Sequence, residues 1–220
     1  MQSKERYFVP SNQSIDDIPN DIQHLYLCGF SDYNCDRLTF PINSFNQLKS
    51  ISIGDHCFQH VREFVLDGLE SLESVKIGEK CFEIDDDGLC RITNCPNLRQ
   101  LETGNWSFED FKSFELSNVN SLQSIKFGDC CFQNVREFVI DGLESLESMK
   151  IGTSCFGVDE EERDDGICRI TNCPNLRQLE IGWCSFKDFK SFELSNLNSI
   201  QSIIFGGRCF VFADFSLKGE

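Results

Sequence analysis

The sequence predicts an all-β or mostly β repeat solenoid, a right-handed stack of coils with two short strands in each coil of about 24 residues. Three observations carry this. The stretch Leu69-Glu70-Ser71-Leu72-Glu73-Ser74-Val75-Lys76-Ile77-Gly78-Glu79-Lys80-Cys81-Phe82 recurs with variations seven times. Its last two apolar columns lie two residues apart, the period of a strand with one buried face. One glycine and one phenylalanine, Gly78 and Phe82 in this copy, recur at their positions in all seven. No segment has a helical period of useful length. A single coil cannot stand alone, because its few buried side chains do not offset the entropy of ordering its backbone. Neighbouring coils must therefore share burial and strand pairing.

Composition narrows the function class. A formal charge of −16 over 220 residues argues against nucleic acid, which needs clustered Lys and Arg to neutralise phosphates. A basic protein face or a cation is the better complement. No apolar run approaches the length that spans a bilayer, so no membrane insertion is expected. Met1-Gln2-Ser3-Lys4-Glu5-Arg6 leads into no apolar signal segment, so an intracellular, cytoplasmic location is expected, with the cell surface or secretion as the alternative. Thirteen cysteines are an odd number without a secretory signal, which argues against a disulfide framework. Five of them, Cys57, Cys81, Cys131, Cys155 and Cys209, share one column with Ser107 and Ser185 and read as packed, reduced thiols.

In chain order, residues 1–14 are polar and unpatterned and read as an N-terminal tail. Residues 15–44 read as a degenerate capping coil, in which Ile18, Ile22, Leu25 and Leu27 approximate the repeat spacing and Leu38 and Phe40 supply its second half. Residues 45–220 hold the seven regular coils. Their inward columns begin with Phe45, Leu69, Cys95, Val119, Leu143, Cys173 and Leu197, followed three residues on by a Leu or Ile column. The strand columns come next: Ile51, Val75, Leu101, Ile125, Met149, Leu179 and Ile203, then Ile53, Ile77, Thr103, Phe127, Ile151, Ile181 and Phe205. The invariant glycine directly after that strand implies either positive φ or close backbone approach at a corner. The phenylalanine column, Phe58 through Phe210, is expected to stack one ring per coil at about 4.8 Å and to form the centre of the core.

A second strand follows in each coil, as in Phe64-Val65-Leu66 and Cys90-Arg91-Ile92. It exits through Asp67-Gly68, Thr93-Asn94, Ser117-Asn118, Asp141-Gly142, Thr171-Asn172 or Ser195-Asn196. Asp, Ser or Thr bonds the nearby backbone and Gly or Asn accepts a left-handed conformation, so this dipeptide reads as a turn. A longer period overlies the coils: residues 45–118 and 119–196 are copies of one three-coil block, identical at about three quarters of aligned positions. Such duplication implies an adjustable coil number, which a compact enzyme site seldom survives. The last coil has no polar capping coil after its second strand, and the open edge invites end-to-end self-association.

The spacing Leu69-x-x-Leu72-x-x-Val75-x-Ile77 with Phe82 closing the segment resembles the leucine-rich repeat, and Ile77-Gly78-x-x-Cys81-Phe82 looks like the signature of the BspA-like class. The resemblance covers about residues 15 to 217. It departs from the common leucine-rich repeat where an Asn ladder would stand, a column that here holds His56, Lys80, Trp106, Cys130, Ser154, Cys184 and Arg208. The resemblance implies recognition of another protein and carries over no catalytic residue.

Such proteins commonly meet ligands through outward residues of the first strand. Here those are Ser52, Lys76, Glu102, Lys126, Lys150 and Glu180 in one column and Lys49, Glu73, Arg99, Gln123, Glu147 and Arg177 in another. Both mix signs, as a solvated sheet face also would. Two insertions at equivalent places, Asp85-Asp86-Asp87 and Asp159-Glu160-Glu161-Glu162-Arg163-Asp164-Asp165, cluster carboxylates that suit solvent, a basic partner or Ca²⁺, without an EF-hand spacing. His56, Cys57 and His60 do not repeat in the matching coil, which has Cys131 and Asn134, so no metal site is read. No nucleophile and base share a recognisable motif, so neither catalysis nor a cofactor is expected.

Overall fold

A computed structural model describes residues 6–9, 17–28, 37–39, 45–84, 88–157 and 166–218. Among these residues there are seventeen strands and no α-helix. The strands are β1 (Arg6–Val9), β2 (His24–Leu27), β3 (Arg37–Thr39), β4 (Ser50–Ile53), β5 (Glu63–Asp67) and β6 (Ser74–Ile77). They continue as β7 (Gly88–Thr93), β8 (Gln100–Thr103), β9 (Phe111–Ser117), β10 (Ser124–Phe127), β11 (Glu137–Asp141) and β12 (Ser148–Ile151). The last are β13 (Ile167–Thr171), β14 (Gln178–Ile181), β15 (Ser191–Ser195), β16 (Ser202–Phe205) and β17 (Asp214–Lys218). One layer is a nine-stranded sheet, β1-β2-β4-β6-β8-β10-β12-β14-β16, and the other is two four-stranded sheets, β3-β5-β7-β9 and β11-β13-β15-β17.

All pairings are parallel and join strands one coil apart, which makes the chain a β-solenoid of about seven turns with about 24 residues in each. The register follows the columns: Ile51 lies beside Val75, Val75 beside Leu101, Ile125 beside Met149 and Leu179 beside Ile203. One expectation is corrected at the start of the chain. Residues 6–9 fall in the stretch read as a polar tail, yet β1 pairs with β2 and buries Val9. Its inward residues Tyr7 and Val9 alternate with Arg6 and Phe8, a pattern too short to stand out from its polar flanks.

The core is organised as expected around the phenylalanine column. Successive rings from Phe58 to Phe210 stack with centroids 4.5 to 5.5 Å apart and planes within 3 to 15° of parallel. Second-layer rings lean onto it, with Phe138 4.5 Å from Phe156 and Phe192 4.0 Å from Phe210. The turn residues Gly68, Asn94, Asn118, Gly142, Asn172 and Asn196 all have positive φ, as the turn dipeptide predicts.

For the glycine column the structure chooses close approach. A Cβ on Gly78 would lie 2.7 Å from both the Asp55 nitrogen and the Gly54 carbonyl carbon. The left-handed residues of this corner come later, at His56 and Phe58, at Lys80 and Phe82, and at their equivalents in every regular coil. The cysteine column does more than pack. From Cys81 onward each thiol or hydroxyl donates to the glycine carbonyl one coil earlier: Cys81 Sγ to Gly54 at 3.0 Å, Ser107 Oγ to Gly78 at 2.8 Å, Cys155 Sγ to Gly128 at 3.0 Å and Ser185 Oγ to Gly152 at 2.7 Å. In return Ser107 Oγ and Ser185 Oγ accept the Cys81 and Cys155 N–H groups, at 3.2 and 3.0 Å. Serine replaces cysteine here because the position needs a small donor and acceptor against buried backbone.

The second layer breaks between β9 and β11, at the junction of the two three-coil blocks. A groove of 560 Å³ lies along the break, lined by Lys112, Ser113, Glu115, Leu116, Arg136 and Val139 among others. The turn ladder ends at the same place. Asn94 Nδ2 donates to Asp67 at 2.7 Å and Asn118 Nδ2 to Asn94 at 2.8 Å, but Gly142 has no side chain with which to continue.

Candidate functional site

The nine-stranded sheet presents one uninterrupted outward face. Parallel register lines up Phe8, Tyr26, Ser52, Lys76, Glu102, Lys126, Lys150, Glu180 and Ile204 in a single row across it. From Tyr26 to Glu180 their strand neighbours point inward and are buried, so the strand period alone sets the row outward.

The charges of the row pair along it. Glu102 is bridged from both sides, by Lys126 Nζ at 2.6 Å and Lys76 Nζ at 3.5 Å, and Lys150 Nζ meets Glu180 Oε1 at 2.8 Å. The Lys126 hydrogen bond holds the Glu102 carboxyl below its ordinary pKa. The second column, Lys49, Glu73, Arg99, Gln123, Glu147 and Arg177, stands where each coil enters its strand. There the backbone N–H of each residue from Glu73 onward donates to the carbonyl of the one before, at 2.8 to 2.9 Å. Those side chains are exposed. Both columns of the sequence reading therefore border the same sheet.

Residues missed by the sequence reading lie on this face too. Ser50, Ser74, Gln100, Ser124, Ser148 and Gln178 form a second outward row two residues before the charged one, a period-2 signal that was available in the columns. At the N-terminal end Phe8 stacks on Tyr26 with centroids 4.7 Å apart and planes 15° from parallel, and Phe8 is 65% exposed. The tail reading hid Phe8, and the degenerate first coil hid Tyr26.

The carboxylates Asp85, Asp86, Asp87, Asp159, Glu160, Glu161, Glu162, Asp164 and Asp165 lie outside the described residues. Among the described residues no group of three or more His, Cys, Asp or Glu is placed to hold a metal ion. No helix among them is long and apolar enough to cross a membrane. Twelve of the thirteen cysteines are described and none of the twelve is in a disulfide. Comparison of the chain with protein-family models, with curated proteins and with solved structures finds no match in any of the three.

Proposed function

We propose that this chain is a non-catalytic recognition module of leucine-rich-repeat-like build, nearest the BspA-like class, that binds another protein across its nine-stranded sheet. The observation that carries the reading is the outward row, with an exposed aromatic stack at one end and mutually held charges of both signs along it. Exposed aromatics are the side chains that most often anchor interfaces. Exposed ion pairs add little stability, yet they fix where each sign sits, which suits discrimination between partners. A partner with a basic patch suits the overall charge of −16. A reduced, intracellular setting is supported by the thiol ladder, since a disulfide would remove the S–H that the carbonyls of Gly54, Gly104, Gly128 and Gly182 accept.

The test is quantitative affinity capture from native lysate with four forms of the protein. These are wild type, Phe8→Ala with Tyr26→Ala, Lys126→Glu with Lys150→Glu and Arg177→Glu, and a control, Arg169→Glu, on the second layer. A protein retained by wild type and the control but depleted about tenfold or more by both face variants supports the proposal. Equal retention by all four overturns it.

A further inference from the structure

The two three-coil blocks let one surface of the chain be set beside its own copy. The stretch from Gly54 to Asn118 recurs as Gly128 to Asn196, and several of its substitutions are apolar swaps in the core, such as Leu66 for Ile140 and Val75 for Met149. Apart from the loop insertion, the substitutions that change charge or polarity at the surface all fall in the turns leading from the first strand of a coil to the second. Four of them, Lys80, Glu83, Trp106 and Glu109, line a groove of 340 Å³ in the middle of the stack. Their counterparts are Ser154, Gly157, Cys184 and Lys187, so the second block keeps none of the residues of this groove.

Coil stacking builds the groove. β6 and β8 pair in register up to Ile77 and Thr103, which puts Lys80 beside Trp106 three residues later and Glu83 beside Glu109 after three more. Beneath them Phe82 stacks on Phe108 with centroids 4.5 Å apart. Trp106 is 43% exposed and makes no ring contact among the described residues. Its backbone is left-handed, as in every regular coil, but the others carry His, Lys, Cys, Ser or Arg at this position. The conformation therefore does not call for an indole. Glu83 and Glu109 join no ion pair among the described residues. Burial, with Asp110 and Glu83 close by, holds the Glu109 carboxyl above its ordinary pKa, and Lys80 offsets only part of this. The groove is short of positive charge.

We propose that this groove binds an arginine side chain presented by a partner protein, its guanidinium flat on the Trp106 indole and its N–H groups directed to Glu83 and Glu109. A guanidinium is planar, stacks on aromatic faces, forks towards carboxylates and is less strongly hydrated than an ammonium. Lys80 opposes any cation, but one ammonium stands against the carboxylates of Glu83, Glu109 and Asp110. Small-molecule sites span roughly 300–1,000 Å³, so this volume suits one side chain better than a cofactor. The matching groove of the second block has Lys187 in place of Glu109 and no aromatic residue in its lining, and it serves as an internal control. The site lies off the outward face of the nine-stranded sheet and does not rest on binding there.

The experiment follows the indole N–H signals of the ¹⁵N-labelled 220-residue chain by NMR. Its two tryptophans give two signals, assigned with Trp106→Ser, a residue that Ser154 shows the column accepts. The probes are blocked Gly-Arg-Gly, the same peptide with citrulline, which is neutral and nearly isosteric, and the same peptide with lysine, each up to about 10 mM at constant ionic strength. The arginine peptide is expected to shift the Trp106 signal saturably with a Kd of about 1 mM, the strength of a single anchoring side chain, and to leave Trp183 unmoved. Lysine should bind on the order of fivefold more weakly, and citrulline should give no saturable shift. Glu83→Gly with Glu109→Lys, both taken from the second block and so compatible with the coil, should weaken arginine binding tenfold or more. An unmoved Trp106 signal overturns the proposal, as does an equal response of Trp183. Citrulline or lysine binding as well as arginine, or an unaffected double variant, overturns it too. None of these substitutions touches the sheet face, so failure here is distinguishable from failure of the recognition reading.

Discussion

A Cβ at Gly128 would stand 2.5 Å from the Gly104 carbonyl carbon and 2.6 Å from the Asn105 nitrogen, so one coil rests its backbone directly on the next. At Gly54 the first atom met is Cys28 Sγ, at 3.4 Å. Gly128→Ala is therefore expected to destabilise by about 3 kcal/mol or more, and Gly54→Ala by less than about 1 kcal/mol. Urea unfolding midpoints check the difference, and equal midpoints would remove the close-approach explanation. The sequence showed that the column admits only glycine but left two reasons open. It gave no hint that Phe58, Phe82 and their equivalents take left-handed backbone, because that conformation is the habit of Gly and Asn. A left-handed residue costs about 1–2 kcal/mol, which burial of a phenylalanine offsets at about 1.5–3 kcal/mol. The Cys/Ser ladder was half legible: small size could be read from the alternation, but not the carbonyl each donor faces.

At the level of the strand, both strands of every regular coil could be read from period-2 columns, and the observed registers match them. β1 escaped because four residues carry only two inward side chains, and pairing with β2 rather than its own pattern makes it a strand. The break between β9 and β11 also escaped, since both strands have ordinary sequences and the fault lies between them. Amides of β9 and β11 that face the groove are expected to exchange with deuterium on the order of tenfold or more faster than those of β7 and β13, although all four lie mid-chain. Hydrogen exchange resolved by fragment or residue checks this. Uniform protection across the four strands would mean that the second layer is as continuous as the first.

Across the whole molecule buried thiols outside the Cys/Ser ladder make stability depend on alkaline pH. Burial pushes Cys95 and Cys173 up to about 11 from an ordinary value of 9.0, and drives Cys90 and Cys168 upward as well. The folded state thus holds these protons more tightly than the unfolded chain. Their contribution is fully present below about pH 9 and is lost as pH rises towards 11, on the order of 2 kcal/mol for Cys95 and for Cys173. Urea midpoints measured between pH 7 and pH 10.5 should stay level to about 9 and then fall, and Cys95→Ala with Cys173→Ala should flatten the fall. A midpoint that does not move would contradict buried thiols.

The sequence by itself determined the solenoid, its coil length, its two strands per coil and the content of its columns. A repeat forces each residue type to satisfy the same neighbours seven times, so local chemistry is legible as recurrence. It also placed the charged row outward, since strand periodicity admits only two sides. What only the tertiary structure decided lies between coils and at the ends, where recurrence gives no reading. There it fixed which glycine function operates, where the second layer parts, and how Phe8 and Tyr26 join the charged row. Those are contacts between residues on different coils, and their geometry follows from the stacking rather than from any one coil's sequence.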